Sequence, residues 1–349
     1  MFLGPKQRML YFLSYHSNFP FVSPMFINFG LTHRCNLRCK ICETWEANPK
    51  IEEELTLDEI KQVIWEIAKW DKRINISFAG GEPLIRKKDL IEAIKFANSQ
   101  GLVTHLTTNG TLVTEDVAKG LIESGLNYIQ VSLDGATQKT NDFIRYKGSF
   151  KGAVRALKNL TKMKEEFDSD IKIAITTVIT DKNLDEILDI YEFAKFLGVD
   201  RIDYNPYNID TSYTKGKSYE NDEFWVKEKN IPKLKKICEK LIELKRKENR
   251  IGTPYLTLKL MPEYFKKKQK FRYGICLAGF SYMYVKPNGN VDVCGKGPSL
   301  NVRKHNIKKI WHSVSFAKTR LLIRKCKRPC LMLCFPRIDT KTLLFGREV

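Results

Sequence analysis

The sequence has 349 residues, 43% of them hydrophobic, enough to bury a sizeable core in about two domains or in one barrel with an appendage. Lys and Arg outnumber Asp and Glu by 60 to 40, and the excess is local: residues 264–349 hold 20 basic and 3 acidic side chains, so +17 of the net +20 lies in the last quarter. No membrane span is expected, because the most apolar early stretch, residues 9–22, is broken by His16, Ser17, Asn18 and Pro20 and falls short of the roughly 20 apolar residues a spanning helix needs.

That stretch also lacks the small-residue cleavage site of a signal peptide, so residues 1–24 read as an N-terminal extension and the expected compartment is the cytoplasm. From residue 25 short apolar runs alternate with helical patterns. Residues 25–31 read as a strand. Residues 55–70 read as an amphipathic helix in which Thr56 and Glu59 have the spacing of a capping box. Strands at 74–79, 102–108, 128–133, 171–179 and 201–207 are separated by helices near 87–98, 114–124, 150–166 and 183–197. Such alternation predicts a parallel sheet with right-handed crossovers. The fold class is α/β: a partial (β/α)6 TIM-like barrel over 25–207, whose functional groups gather at the carboxyl ends of the strands. Residues 208–225 read as a polar loop. A helix at 231–248 belongs to a helical bridge over 208–275, with Cys238 on its apolar face as a core residue. Past 276 the strands flanking Pro287-Asn288-Gly289-Asn290 form a hairpin, and an amphipathic helix spans 307–323. Residues 276–349 make a small α+β, cysteine-rich domain.

The nine cysteines fall into groups: three at 35–42, Cys238 alone, and five from 276 to 334. In a reducing compartment grouped thiols point to metal rather than to disulfides. Cys35, Cys39 and Cys42 directly follow the first strand. Structural zinc takes four Cys or His ligands, whereas here no further Cys follows for almost 200 residues and His33 is too close in sequence to complete a site. Three thiolates on a [4Fe–4S] cluster leave one iron open to a small molecule.

The pattern C-x3-C-x2-C after the first strand of a βα series resembles the signature of the radical S-adenosylmethionine superfamily. The resemblance covers about residues 25–207. It implies that the open iron chelates the methionine moiety of S-adenosylmethionine and that reductive cleavage gives a 5′-deoxyadenosyl radical, which abstracts hydrogen from substrate. Gly80-Gly81-Glu82-Pro83 is similar to the family's GGEP motif, which holds the methionine amino group. By itself the motif offers glycines for close backbone approach to a ligand and a carboxylate for an ammonium. Asn109 in Thr107-Thr108-Asn109-Gly110, and Ser132 and Asp134 in Ser132-Leu133-Asp134-Gly135, match common family strand ends. Arg145 resembles an arginine that pairs with the methionine carboxylate. Relatives usually carry an aromatic residue where this sequence has Ile41, which can still pack on adenine.

Cys276, Gly289 and Cys294 resemble the opening of the SPASM/twitch extension found on a subset of these enzymes. Cys326, Cys330 and Cys334 depart from its usual spacing. Five thiols suffice for one auxiliary [4Fe–4S] cluster with one to spare; four thiolates would suit zinc equally well. The expected function is hydrogen abstraction from an unactivated C–H bond of an anionic peptide, sugar, cofactor or lipid precursor, drawn by the basic tail. The implied electron source is a reductase such as flavodoxin or ferredoxin. RNA as substrate and a non-catalytic iron–sulfur scaffold are the alternatives. Asp203, Tyr204 and Asn205 on the sixth strand are candidates to face substrate.

Overall fold

A computed structural model describes residues 4–47, 50–209, 219, 221–297, 300–331 and 337–338. Cys334, and most of the polar loop within 208–225, lie outside the described residues.

Six parallel strands run in sequence order across one sheet: β1 (Phe26–Thr32), β2 (Asn75–Gly80), β3 (Thr104–Thr108), β4 (Tyr128–Ser132), β5 (Lys172–Ile179) and β6 (Arg201–Pro206). Helices pack against one face of the sheet. They are α2 (Leu57–Trp70), α3 (Lys87–Ser99), α4 (Glu115–Glu123), α6 (Ser149–Glu166) and α7 (Ile187–Phe196), preceded by α1 (Pro5–Ser17), with the short α5 (Gln138–Ile144) before α6. The open parallel arrangement is that of a partial TIM barrel. The expected capping box closes α2: the Thr56 hydroxyl accepts from the Glu59 N–H at 3.2 Å, and Glu59 Oε2 accepts from the Thr56 N–H at 2.8 Å. Strand residues facing the helices, among them Ile27, Ile76, Leu106, Ile129, Ile173 and Ile202, are sealed from water and form one continuous core.

After β6 come α8 (Ile231–Lys247), with Cys238 buried on its apolar face as expected, and α9 (Tyr255–Lys267), which carries Pro262 inside it. The remaining elements are β7 (Ile275–Cys276), α10 (Ala278–Ser281), β8 (Tyr282–Val285), β9 (Val291–Asp292), α11 (Ile307–His312), α12 (Val314–Arg324) and β10 (Arg337–Ile338). The hairpin β8–β9 forms, and its first strand pairs in parallel with β1, Phe26 beside Tyr282 and Asn28 beside Tyr284, so the C-terminal segment extends the barrel sheet. The single helix expected at 307–323 is two helices. Ser313 has extended backbone, and its hydroxyl accepts from the Phe316 N–H at 3.1 Å, capping α12 and ending α11. Helix α1 docks beside these elements. Tyr11 joins Leu277 and Phe280 in a small second core, and Asn18 donates to the Ala317 carbonyl at 3.1 Å.

Candidate active site at the carboxyl ends of the barrel strands

Strand periodicity divides the side chains into two sets. The set opposite the helices lines the concave face and is polar and aromatic: Asn28, His105, Tyr128, Gln130, Thr176 and Asn205 stand there half-buried. They bond across strands, Gln130 to Asp203 at 3.1 Å and Asn205 to Thr176 at 3.0 Å, while Arg201 pairs with Asp203 at 2.8 Å. Tyr204 is not on this face. Alternation turns it toward the helices, where it is fully buried and donates to the Ile187 carbonyl at 3.2 Å. Two tyrosines of the C-terminal hairpin join the concave face. Tyr282 accepts from Asn28 at 3.0 Å, and Tyr284 crosses β1 at Gly30, where a Cβ would overlap its hydroxyl.

Cys35, Cys39 and Cys42 lie on the loop that leaves the carboxyl end of β1, all three as free thiols. Two neighbouring strand ends hold the loop. At the end of β2 the Gly81 N–H donates to the Thr32 carbonyl at 2.7 Å and the Glu82 N–H to the Arg34 carbonyl at 2.8 Å. Gly80 has φ 138°, and a Cβ on Gly80 or Gly81 would overlap the Thr32 or Arg34 carbonyl oxygen. The glycines therefore admit the backbone leading into Cys35. At the end of β3 the Asn109 amide donates to Asn36 at 2.9 Å and lies 3.9 Å from the Cys35 sulfur. Ile41 is half-buried and packs on the main core.

Glu82 is fully buried. Its Oε1 accepts from the Leu84 N–H at 3.0 Å and the Thr108 hydroxyl at 2.8 Å, and Oε2 accepts from the Asn109 N–H at 2.8 Å. Burial raises its pKa, and these three donors oppose the shift. Pro83 opens the turn after it and is buried. Ser132 ends β4 with its side chain nearly closed from water. Asp134 is sealed; Oδ1 accepts from the Val178 N–H at 2.7 Å, and Oδ2 lies 2.7 Å from Arg145 Nε in an ion pair whose angle falls short of a hydrogen bond. Burial works against the Arg145 cation, and the Asp134 carboxylate together with the charges of Cys39 and Cys42 more than restores it. Burial also pushes the Cys39 thiol up to about 12, a shift that the nearby Arg145 charge opposes.

In the C-terminal segment Cys276 sits on β7, Cys294 follows β9, and Cys326 and Cys330 follow α12. The backbone at Cys294 and Gly295 is left-handed, φ 53° and 70°, and Asp292 Oδ1 accepts from the Gly295 N–H at 2.6 Å. Strand β10 returns antiparallel to β7 with Arg337 beside Cys276. Among the described residues no three Cys, His, Asp or Glu side chains close on a single-ion point.

Residues 30–194 match the Radical SAM superfamily, and residues 276–335 match SPASM, an iron–sulfur cluster-binding domain. The chain is 31% identical over 319 residues to an AdoMet-dependent heme synthase of Methanosarcina barkeri, covering 85% of each. It is 27% identical over 329 residues to a PqqA peptide cyclase of Bradyrhizobium diazoefficiens, covering 90% of this chain and 80% of the relative. Among solved structures, Streptococcus suis SuiB bound to S-adenosylmethionine superposes with a TM-score of 0.67 at 18% identity, covering 90% of this chain and 72% of that one. Fold and site thus define an iron–sulfur enzyme of the barrel class. The chain belongs to the radical SAM superfamily, with a SPASM extension.

That family makes the cofactors a [4Fe–4S] cluster, S-adenosylmethionine and, in the SPASM domain, auxiliary iron–sulfur rather than the zinc that spacing alone left open. The donor set fits. Three free thiols on one loop are soft ligands suited to iron–sulfur, and bound iron would favour the thiolates against the burial that now raises Cys35 and Cys39.

Proposed function

We propose that this enzyme abstracts hydrogen from an unactivated C–H bond of a carboxylate-bearing substrate, a peptide or a tetrapyrrole. Cys35, Cys39 and Cys42 would hold the first cluster. Gly80, Gly81, Glu82, Pro83, Asn109, Ser132, Asp134 and Arg145 would frame the S-adenosylmethionine site, with Ile41 toward adenine. Four of Cys276, Cys294, Cys326, Cys330 and Cys334 would hold an auxiliary cluster. Together, the bound cluster and S-adenosylmethionine supply one-electron carbon radical chemistry.

The observation that carries the reading is convergence. The cysteine loop, the end of β2 and Asn109 are tied by hydrogen bonds, and the Asp134–Arg145 pair stands beside Cys39 at the edge of the concave face. The chain's own groups then have separate tasks. Glu82 braces the end of β2 against β3, Asp134 aims Arg145, and the polar concave face, with the Arg201–Asp203 pair among its side chains, orients substrate. The names of the similar proteins, a heme synthase and a peptide cyclase, support carboxylate-bearing substrates.

The test is the triple variant with Cys35, Cys39 and Cys42 replaced by Ala, purified anaerobically. Iron should fall from about eight to about four per chain, and 5′-deoxyadenosine release should cease. Continued release would overturn the reading.

A further inference from the structure

The middle of helix α1, between the polar turns Lys6–Arg8 and Ser14–Ser17, is apolar on every side. Met9, Leu10, Tyr11, Phe12 and Leu13 are consecutive, so they point in every direction at 3.6 residues per turn. A helix of that kind is normally buried on all sides. Here only one side is covered: Tyr11 is sealed in the second core, whereas Met9 and Leu13, one turn apart on the opposite side, are 49% and 43% exposed. The chain then turns through Phe19-Pro20-Phe21, and both phenylalanines stand out of the surface with their rings 5.0 Å apart.

Helix α12 lies alongside. Asn18 bonds the Ala317 carbonyl, Phe19 packs near His312, and the Arg324 guanidinium sits 4.9 Å from the Tyr15 ring. Its outer face carries Val314, Leu321 and Leu322, all exposed, with Lys318 between them and Lys325 just past the helix end. Elsewhere exposed apolar side chains are scattered; here seven are gathered on α1, the turn after it and α12. The cations around them belong to the segment holding +17 of the net charge.

We propose that the α1–α12 face is a docking surface for an anionic lipid bilayer. Apolar side chains with cations interleaved and on the rim are what an interfacial helix needs: the apolar groups enter the acyl boundary while long Lys and Arg stems reach the headgroups. The charge decides against a second copy of this chain, since two such faces would repel. The shape favours lipid over an acidic protein, because protein partners seat anchors in pockets and this face is two protruding helices and an aromatic turn. The proposal is independent of the cluster assignments.

The probe is flotation of the cluster-loaded full chain with vesicles of phosphatidylcholine alone or mixed with phosphatidylglycerol. The chain should float with the mixed vesicles only, and 0.5 M salt should weaken this by about tenfold or more. The variant Leu13→Gln, Phe19→Ser, Phe21→Ser should lose binding at least tenfold while keeping its iron content and circular dichroism. The variant Lys318→Glu, Lys325→Glu should lose about fivefold per cation while keeping its iron content. If this set of substitutions unfolds the chain, Phe21→Ser alone gives the same reading at smaller amplitude. Absence of flotation overturns the proposal, including where the chain instead pairs with itself or an acidic protein. Flotation indifferent to the apolar substitutions also overturns it, since charge alone would then account for adsorption.

Discussion

Arg145 and Asp134 meet Nε to Oδ2 at 2.7 Å in a closed space beside the cysteine loop. Ten residues, helix α5 among them, separate them, and Asp134 is fixed from the other side by the Val178 N–H. Removing one partner of such a pair strands a buried charge. Asp134→Ala should cost about 3–5 kcal/mol of stability and weaken S-adenosylmethionine binding through a misaimed Arg145. Asp134→Asn keeps an acceptor for Val178 and should cost less. Thermal melts and calorimetric titration of the cofactor check both; a fully stable Ala variant would reject the positioning role.

Glu82 carries more of the fold than its motif implies. Replacing it with Ala leaves the Leu84 and Asn109 N–H groups and the Thr108 hydroxyl without their acceptor in a sealed site. The expected loss is about 1–3 kcal/mol for each group that finds no water. Glu82→Gln should be intermediate, because one amide N–H2 must face a donor. If Glu82→Ala melted like the parent, the brace would be dispensable.

The barrel was legible because buried parallel strands are written as apolar runs, and α2 because both halves of its cap lie three residues apart. Pairing of β8 with β1 was not legible, since it joins residues more than 250 apart with no local trace. Helix α9 was hidden by Pro262, which reads as a breaker, and the division at Ser313 by an amphipathic pattern that runs through it. The face of Tyr204 was readable: period 2 places it opposite Asp203 and Asn205. The basic tail misled in part. Arg303 pairs with Glu59 at 2.6 Å, and Arg320 is buried against the Gly279 and Trp311 carbonyls, so neither is a free charge available to steer substrate.

His105 gives the barrel an acid limit. Burial, with the Arg201 charge, lowers its pKa from 6.5 to about 4. Above pH 6.5 the ring is neutral folded or unfolded and contributes nothing. As pH falls from about 6.5 to about 4 the unfolded chain takes up a proton that the folded one refuses, so stability drops, by about 3 kcal/mol at most. Below pH 4 this contribution is constant. His105→Gln should flatten that window in urea titrations run at a series of pH values. An unchanged slope would mean that His105 takes up its proton as readily in the fold as in the unfolded chain.

Gly30 and Tyr284 tie the C-terminal hairpin into the barrel. A methyl group at position 30 would overlap the Tyr284 hydroxyl and crowd its ring. Gly30→Ala should therefore push Tyr284 off its course across β1 and cost about 1–3 kcal/mol. Tyr284→Ala alone loses packing and leaves a gap. In the background of that gap the added methyl at position 30 has room, so the penalty of Gly30→Ala should nearly vanish. The double-mutant cycle should give a coupling of about 1–2 kcal/mol in the relieving direction. The structural consequence is testable in the same variants: because β8 is held by β1, displacement of Tyr284 should also loosen the turn at Cys294, and iron content should fall in Gly30→Ala more than in Tyr284→Ala. Simple additivity of the two substitutions, with iron unchanged, would mean that the ring finds another path at no cost and that the hairpin is held by its backbone pairing alone.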